Sequence, residues 1–177
     1  MDVGFIVLCP DRNTASLKNT VGSVRYHTSD RECIAVVPKG TVAKELKEFK
    51  EICETYKGQD TITSLVNTGM KKTKHEWACL VFGGSRIFPY TERRFLPWIK
   101  TDKDVIYPVV EHKFGFVEAS FNGVVINKNF FEEVGDFPTA AMQKEGLNDF
   151  EFAKLLWALD AMDKGAKFKG IVGLRII

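Results

Sequence analysis

The sequence predicts an α/β domain with a mainly parallel central sheet flanked by helices. Three observations carry that reading. Short apolar runs alternate along the chain with segments of helical periodicity, as in a β-α-β succession. The runs Val3 to Cys9, Ile34 to Val37 and Trp77 to Phe82 are continuously apolar, which suits strands covered on both faces. The breaks between them are short and end in Pro10-Asp11-Arg12-Asn13, Pro38-Lys39-Gly40 and Gly83-Gly84-Ser85. The chain has 177 residues and no repeat, low-complexity tract or Pro/Gly/Ser linker, so residues 1–177 read as one domain.

The elements come in order. After the first strand and its loop, residues 14 or 15 to about 26 form a helix with Leu17, Val21 and Val24 on one face. Ile34 to Val37 is the second strand. Thr41 caps a helix through Val42, Leu46, Phe49 and Ile52, with Glu45 in its first turns and a solvated Lys/Glu face. A short strand lies near Thr55 to Lys57. Asp60 or Thr61 opens a helix through Leu65 and Met70 to about Lys74. Trp77 to Phe82 is the next strand, and Thr91 to Lys100 a short helix. Asp104 to Val110 is a strand, and residues 114–125 form a hairpin or two short strands around Asn122-Gly123. A helical turn from Asn127 stops at Gly135. Leu147 to Lys164 is the longest amphipathic helix, ended by Gly165, and Phe168 to Ile171 is the last strand.

Composition excludes several function classes. The hydrophobic fraction is 45%, and 25 Lys and Arg against 23 Asp and Glu leave a net charge of only +2. A soluble core can form, with no general footprint for nucleic acid or an anionic membrane. No apolar run is long enough to span a bilayer, and Val3 to Cys9 lacks the length and basic lead-in of a signal peptide, so a cytoplasmic location is expected. Cys9, Cys33, Cys53 and Cys79 form no CxxC pair and read as reduced core thiols rather than a zinc site. His27, His75 and His112 are scattered and suggest no metal site. Trp77, Trp98 and Trp157 read as core, and Lys71, Lys72 and Lys74 as a solvated cluster. The motifs GxxxxGK[ST] and GxGxxG are both absent, which argues against an ordinary NTPase or dehydrogenase.

Ligands of open α/β sheets bind beyond the carboxyl ends of the strands. The loops at those ends hold Pro10, Asp11, Arg12, Asn13, Lys39, Gly83, Gly84, Ser85 and Arg86. Arg12 and Lys39 can meet a diphosphate. Asn13, Asn67 and Ser85 can hydrogen-bond a sugar or base. Asp149 and Glu151 supply carboxylates ahead of the last long helix.

Four segments, in order, and a short closing one carry a family resemblance. Pro10-Asp11-Arg12-Asn13 followed by Ser16-Leu17-Lys18-Asn19-Thr20-Val21-Gly22-Ser23-Val24 resembles the opening of family-2 glycosyltransferases. Asn67-Thr68-Gly69, then Glu76-Trp77 and the strand to Phe82, is similar to the family's Asn-x-Gly run into its central strand. Phe130 to Phe137 resembles its F-x-x-v-G-x-F segment. Asn148-Asp149-Phe150-Glu151-Phe152 resembles its E-D-x-x-l segment, and Gly165-Ala166-Lys167-Phe168 its G-y-k-v segment. The resemblance covers nearly the whole chain. It implies a glycosyltransferase A-type fold, nucleotide-diphospho-sugar transferase-like, with a nucleotide-binding first half and an acceptor-side second half. It also implies a nucleoside-diphosphate sugar as partner, with Pro10 to Asn13, Lys39, Asn67 and Gly83 to Ser85 around it.

Two departures qualify that picture. Where the family has Asp-Asp-Gly-Ser, this chain has Pro38-Lys39-Gly40-Thr41. Where the Asp-x-Asp motif should fall, it has Phe82-Gly83-Gly84-Ser85. No carboxylate remains there for a hard divalent cation, so no metal is assigned to the protein; Mg²⁺ or Mn²⁺, where used, would be carried by the donor diphosphate. Lys39, Arg12 or Arg86 could supply fixed positive charge in its place. Asp149 is read either as the base that takes the acceptor hydroxyl's proton or as an acid favoured by a helix N-terminus. The expected function is therefore sugar transfer from a nucleoside-diphosphate sugar to a glycan, lipid or protein acceptor. The alternative is a catalytically degenerate binding or scaffold module, and a nucleotidyltransferase on a related fold is a third class. A short acceptor side leaves room for a second copy, a homo-oligomer, to complete the site.

Overall fold

The computed structural model describes residues 3–28, 31–49, 53–89, 91–111, 117–138, 149–172 and 176. Its strands are β1 (Val3–Leu8), β2 (Cys33–Pro38), β3 (Glu54–Gly58), β4 (Trp77–Phe82), β5 (Val105–Glu111), β6 (Val117–Ala119), β7 (Val125–Asn127) and β8 (Phe168–Val172). Its helices are α1 (Thr14–His27), α2 (Ala43–Leu46), α3 (Ile62–Lys72), α4 (Thr91–Ile99), α5 (Lys128–Val134) and α6 (Asp149–Asp163).

The sheet order is β3-β2-β1-β4-β7-β5-β6, with β8 added to β5. The pairs β3–β2, β2–β1 and β1–β4 are parallel, as is β5–β8, whereas β7 runs antiparallel to both β4 and β5. Val105 and Ile106 pair with β7 on one side and β8 on the other, and Val109 pairs likewise with β6 and β8. β6 and β7 therefore succeed one another along the same edge of β5. They are the two short strands the sequence allowed, not a hairpin paired with itself. The segment 112–116, where that expectation began, lies outside the described residues.

Alternate residues explain the two layers. Phe5, Val7, Ala35, Val37, Cys79 and Val81 pack with Leu17 and Val21 of α1 and Phe95 of α4. Their neighbours Ile6, Leu8, Ile34, Val36 and Leu80 pack with Leu65 and Met70 of α3 and Trp157 of α6. Both faces of the central strands are thus covered, which is why these strands read as unbroken apolar runs. Asn13, Thr61 and Asn127 cap α1, α3 and α5 by accepting from the backbone N–H groups of Ser16, Ser64 and Phe130.

The helix expected from Thr41 to Ile52 is shorter and broken. Four residues of α2 tighten into a 3₁₀ turn at Lys47–Phe49, and the N-cap is Val42, with no side-chain cap bond. Val42 is exposed, whereas Leu46 and Phe49 are buried at the spacing of a 3₁₀ turn; Ile52, the last of the expected stripe, lies outside the described residues. The other elements fall within a few residues of their expected limits. Residues 147 and 148, at the expected start of the last helix, lie outside the described residues. All four cysteines are buried and unpaired. Among the described residues, no helix is long and apolar enough to cross a membrane.

Candidate functional site

The chain builds β1, β2 and β3 to one side, then returns to place β4 on the other flank of β1. α1 and α3 consequently cover opposite faces of the sheet. The carboxyl ends of β1 and β4 flank this reversal, where open α/β sheets leave a crevice for ligands. The loops after β1, β2 and β4 and the residues entering β7 meet at this edge.

The loop after β1 is braced from within. The Asp11 carboxylate accepts from the Asn13 backbone N–H at 3.1 Å and from the Cys9 thiol at 3.3 Å. The Cys9 thiol is pushed up to about 12, chiefly by burial, with the Asp11 hydrogen bond and negative charge adding to it. Asn13 spends its side-chain oxygen on the N-cap of α1. Asp11 and Asn13 thus shape the loop, which leaves Arg12 to face outward. Arg12 adopts φ 59°, uncommon outside glycine and a local backbone cost. Its guanidinium donates to Asp60, at the end of β3, at 2.6 Å, with the two side chains about half exposed (48% and 58%). The guanidinium lies over Gly40, where a Cβ would come within 3.0 Å of its central carbon. A side chain at position 40 would make the guanidinium give by a few tenths of an ångström, so glycine after β2 suits this crossing.

Lys39 is exposed beside Gly40. The Lys57 ammonium donates to the backbone carbonyl of Thr41 at 3.2 Å, bringing a second cation under the same turn. Arg12 and Lys39 from two loops and Lys57 from the end of β3 therefore come to one stretch of edge.

The turn after β4 is held differently. Gly83 N–H donates to the Leu8 carbonyl at 2.6 Å and Gly84 N–H to the Ser16 carbonyl at 3.3 Å. Gly84 has φ 93°, a conformation that favours glycine. Thr20, fully buried, donates its hydroxyl to the Ser85 carbonyl at 2.7 Å. Asn122 completes the bracket: its side-chain oxygen accepts from Phe82 N–H at 3.0 Å, and its amide donates to Ser85 Oγ at 2.9 Å. The only side-chain oxygen in the Gly83–Ser85 turn is thus already engaged by an amide. That donor set does not fit a divalent cation, which wants several carboxylate or carbonyl oxygens. No group of three or more His, Cys, Asp and Glu able to hold a metal occurs among the described residues.

Asn67 stands apart from the edge. It is 5% exposed, and its amide both donates to the Phe137 carbonyl (2.8 Å) and accepts from the Phe137 N–H (2.9 Å). Both polar ends of the Asn67 side chain are thus engaged within the protein, and they tie α3 to the segment after α5. Gly69, two residues on, lets α3 lie against β1, since a Cβ there would collide with buried Ile6. The Asn-x-Gly pattern is a packing device here.

Asp149 opens α6; its carboxylate is outside what the structure describes. Its neighbour Phe150 fixes where α6 starts. The Phe150 ring lies 5.0 Å from Phe121 and 6.2 Å from Phe82, edge to face, beside the turn after β4. Asp60 and Asn122 were not singled out from sequence as site residues. Asp60 read only as a helix opener and Asn122 only as a turn residue, and their partners are 48 and 37 residues away. Arg86 is exposed just beyond the turn.

No family model matches the sequence, and no curated protein matches it. Among solved structures, the bifunctional IspDF from Campylobacter jejuni superposes with a TM-score of 0.66 at 10% identity. The match covers 98% of this chain and 50% of that one, so the chain spans about half the length of the protein it resembles. The likeness is one of fold: an α/β chain with helices on both faces of a mostly parallel central sheet.

Proposed function

We propose that the protein binds a nucleoside-diphosphate sugar across the carboxyl ends of β1, β2 and β4 and transfers the sugar to an acceptor hydroxyl. One observation carries this reading. Arg12 is held at positive φ and laid over Gly40 at the fold's reversal point, close to Lys39. A half-exposed guanidinium paired with one carboxylate can exchange it for a diphosphate, which accepts the same forked hydrogen bonds with more charge. The N-terminus of α1 adds positive potential at the same place.

In the proposed reaction the acceptor oxygen attacks the sugar's anomeric carbon. The bond from that carbon to the diphosphate breaks, and the nucleoside diphosphate leaves with the electron pair. Asp149, at the head of α6, takes the hydroxyl proton. Arg12 and Lys39 offset charge growing on the leaving group. Any Mg²⁺ or Mn²⁺ would arrive on the donor diphosphate, because the turn after β4 offers it no carboxylate.

Calorimetric titration with UDP- and GDP-sugars, with and without Mn²⁺, tests this reading. Saturable binding that survives chelation is expected; no binding to any nucleotide or nucleotide sugar would refute it. A second reading, nucleotidyl transfer, is favoured by the likeness to IspDF. The two differ in what is released: a nucleoside diphosphate for sugar transfer, pyrophosphate for attack on the α-phosphorus of a nucleoside triphosphate.

A further inference from the structure

α6 covers the far half of the sheet incompletely. Its inner side, Ala153, Trp157 and Ala161, is buried, but Leu155 and Met162 are 51% and 62% exposed. Beside them a cavity of about 430 Å³ lies between α6 and the sheet. Tyr107, Ile126 and Phe168 line it from β5, β7 and β8, and Leu155, Ala158 and Met162 from α6.

The cavity is long and has two unlike ends. α6 starts beside Phe82 and Phe121, at the carboxyl edge, and its final residues lie towards Phe168, which pairs with Val105 at the start of β5. From Val105 to the level of Ala119, which pairs with Val109, the sheet advances about 13 Å. From Glu151 to Met162 the helix advances about 16 Å. At the carboxyl edge the lining includes Ser120, Glu151 and Lys154, the last two ion-paired at 2.6 Å, with the Lys154 ammonium 5.7 Å from the centre of the Phe121 ring. Asn122, the next residue after Phe121, holds Ser85. The polar end of the cavity thus lies beside the turn after β4, and the lining beyond it is almost wholly apolar.

We infer that this trough takes the apolar chain of the acceptor, an amphiphile whose hydroxyl head lies beside Gly83 to Ser85 and whose aliphatic body runs under α6. The assignment rests on the proposed sugar transfer and names its acceptor class. A glycan would leave many hydroxyls without partners against Tyr107, Ile126 and Phe168, a cost an aliphatic chain avoids. The volume suits a small ligand and is too small for two turns of a partner helix about 10 Å across.

The test uses n-octyl β-glucoside below its micelle concentration, with glucose as the control, titrated into the protein by calorimetry. UDP is titrated in parallel. Ala158→Phe fills the trough, Met162→Glu makes its rim polar, and Leu159→Phe alters the exposed side of α6 outside it. Octyl glucoside should bind and glucose should not. Ala158→Phe and Met162→Glu should each weaken octyl glucoside by at least roughly tenfold, with UDP affinity and the thermal melt kept, and Leu159→Phe should change neither. No saturable binding of octyl glucoside, or binding indifferent to both trough variants, overturns the inference and leaves the nucleotide site standing. Octyl glucoside binding without any nucleotide binding overturns the donor reading, and the acceptor role with it.

Discussion

The carboxyl edge of the sheet has two halves built from different chemistry. Around β1, β2 and β3 it is made of charges: Arg12, Lys39 and Asp60 on short loops and Lys57 at the end of β3. Around β4, β7 and α6 it is made of rings. Phe137 stacks on Trp157 at 4.6 Å, Phe121 meets Phe137 edge to face at 5.8 Å, and Phe82 and Phe150 extend the cluster. Charges on half-exposed loops contribute little to stability because water screens them, which leaves them available to a ligand. Stacked and buried rings contribute a great deal. Substitutions of these charged side chains should therefore change binding, and substitutions of the buried rings should change folding.

The largest expected effect is in the ring half. Trp157 stacks on Phe137 and donates its indole N–H to the Gly135 carbonyl at 2.9 Å. Trp157→Ala should lower unfolding free energy by about 3–5 kcal/mol in urea denaturation. Asn67→Ala comes next. It strips both partners from the buried Phe137 backbone and should cost about 2–3 kcal/mol by the same measurement. A loss below about 0.5 kcal/mol would mean that the seam between α3 and the segment after α5 is not held by this amide.

Arg12→Ala should move the other quantity. Its exposed ion pair contributes at most about 1 kcal/mol, so stability should barely change. UDP affinity should fall by roughly tenfold, about 1.4 kcal/mol, when calorimetry compares variant and wild type. If instead the melt falls sharply and affinity holds, the contrast between the two halves collapses.

The smallest effect is in alkaline solution. Burial raises the Cys9 thiol to about 12 and the Cys53 thiol to about 11, against an ordinary value near 9. A raised folded value means the native state holds its protons longer than the unfolded chain. The stability these thiols contribute is therefore complete below about pH 9 and is lost as pH climbs through 11 and 12. Urea midpoints measured from pH 8 upward should decline, and Cys53→Ala should flatten part of the decline. Burial also raises the thiols of Cys33 and Cys79, so neither should react with a thiol reagent in the native state at neutral pH.

Much of this architecture is legible in the sequence, for a physical reason. Strands buried on both faces must be apolar at every position, and Val3 to Leu8 and Trp77 to Phe82 are. Thr61 announces a helix start because capping is local. The pattern overstates α2 because Val42, part of its apolar stripe, faces solvent. The site is legible only in part. Arg12 and Lys39 lie on loops that the α/β pattern itself marks. Asp60 and Asn122 reach their partners across the fold, and nothing near them in sequence signals it. Asn67 and Gly69 show why: a buried amide bonded to a distant backbone and a glycine under a helix crossing look, in sequence, the same as a ligand motif.

The central claim is that the carboxyl ends of β1, β2 and β4, with the charges of Arg12 and Lys39, form the nucleotide site. Amide chemical-shift mapping of isotopically labelled protein titrated with UDP in the presence of a chelator tests it most directly. Saturating shifts centred on Arg12, Asn13, Lys39, Gly40 and Gly83 to Ser85, and their loss in Arg12→Ala, are the predicted result. Shifts confined to other parts of the sheet, or none at all, would contradict it.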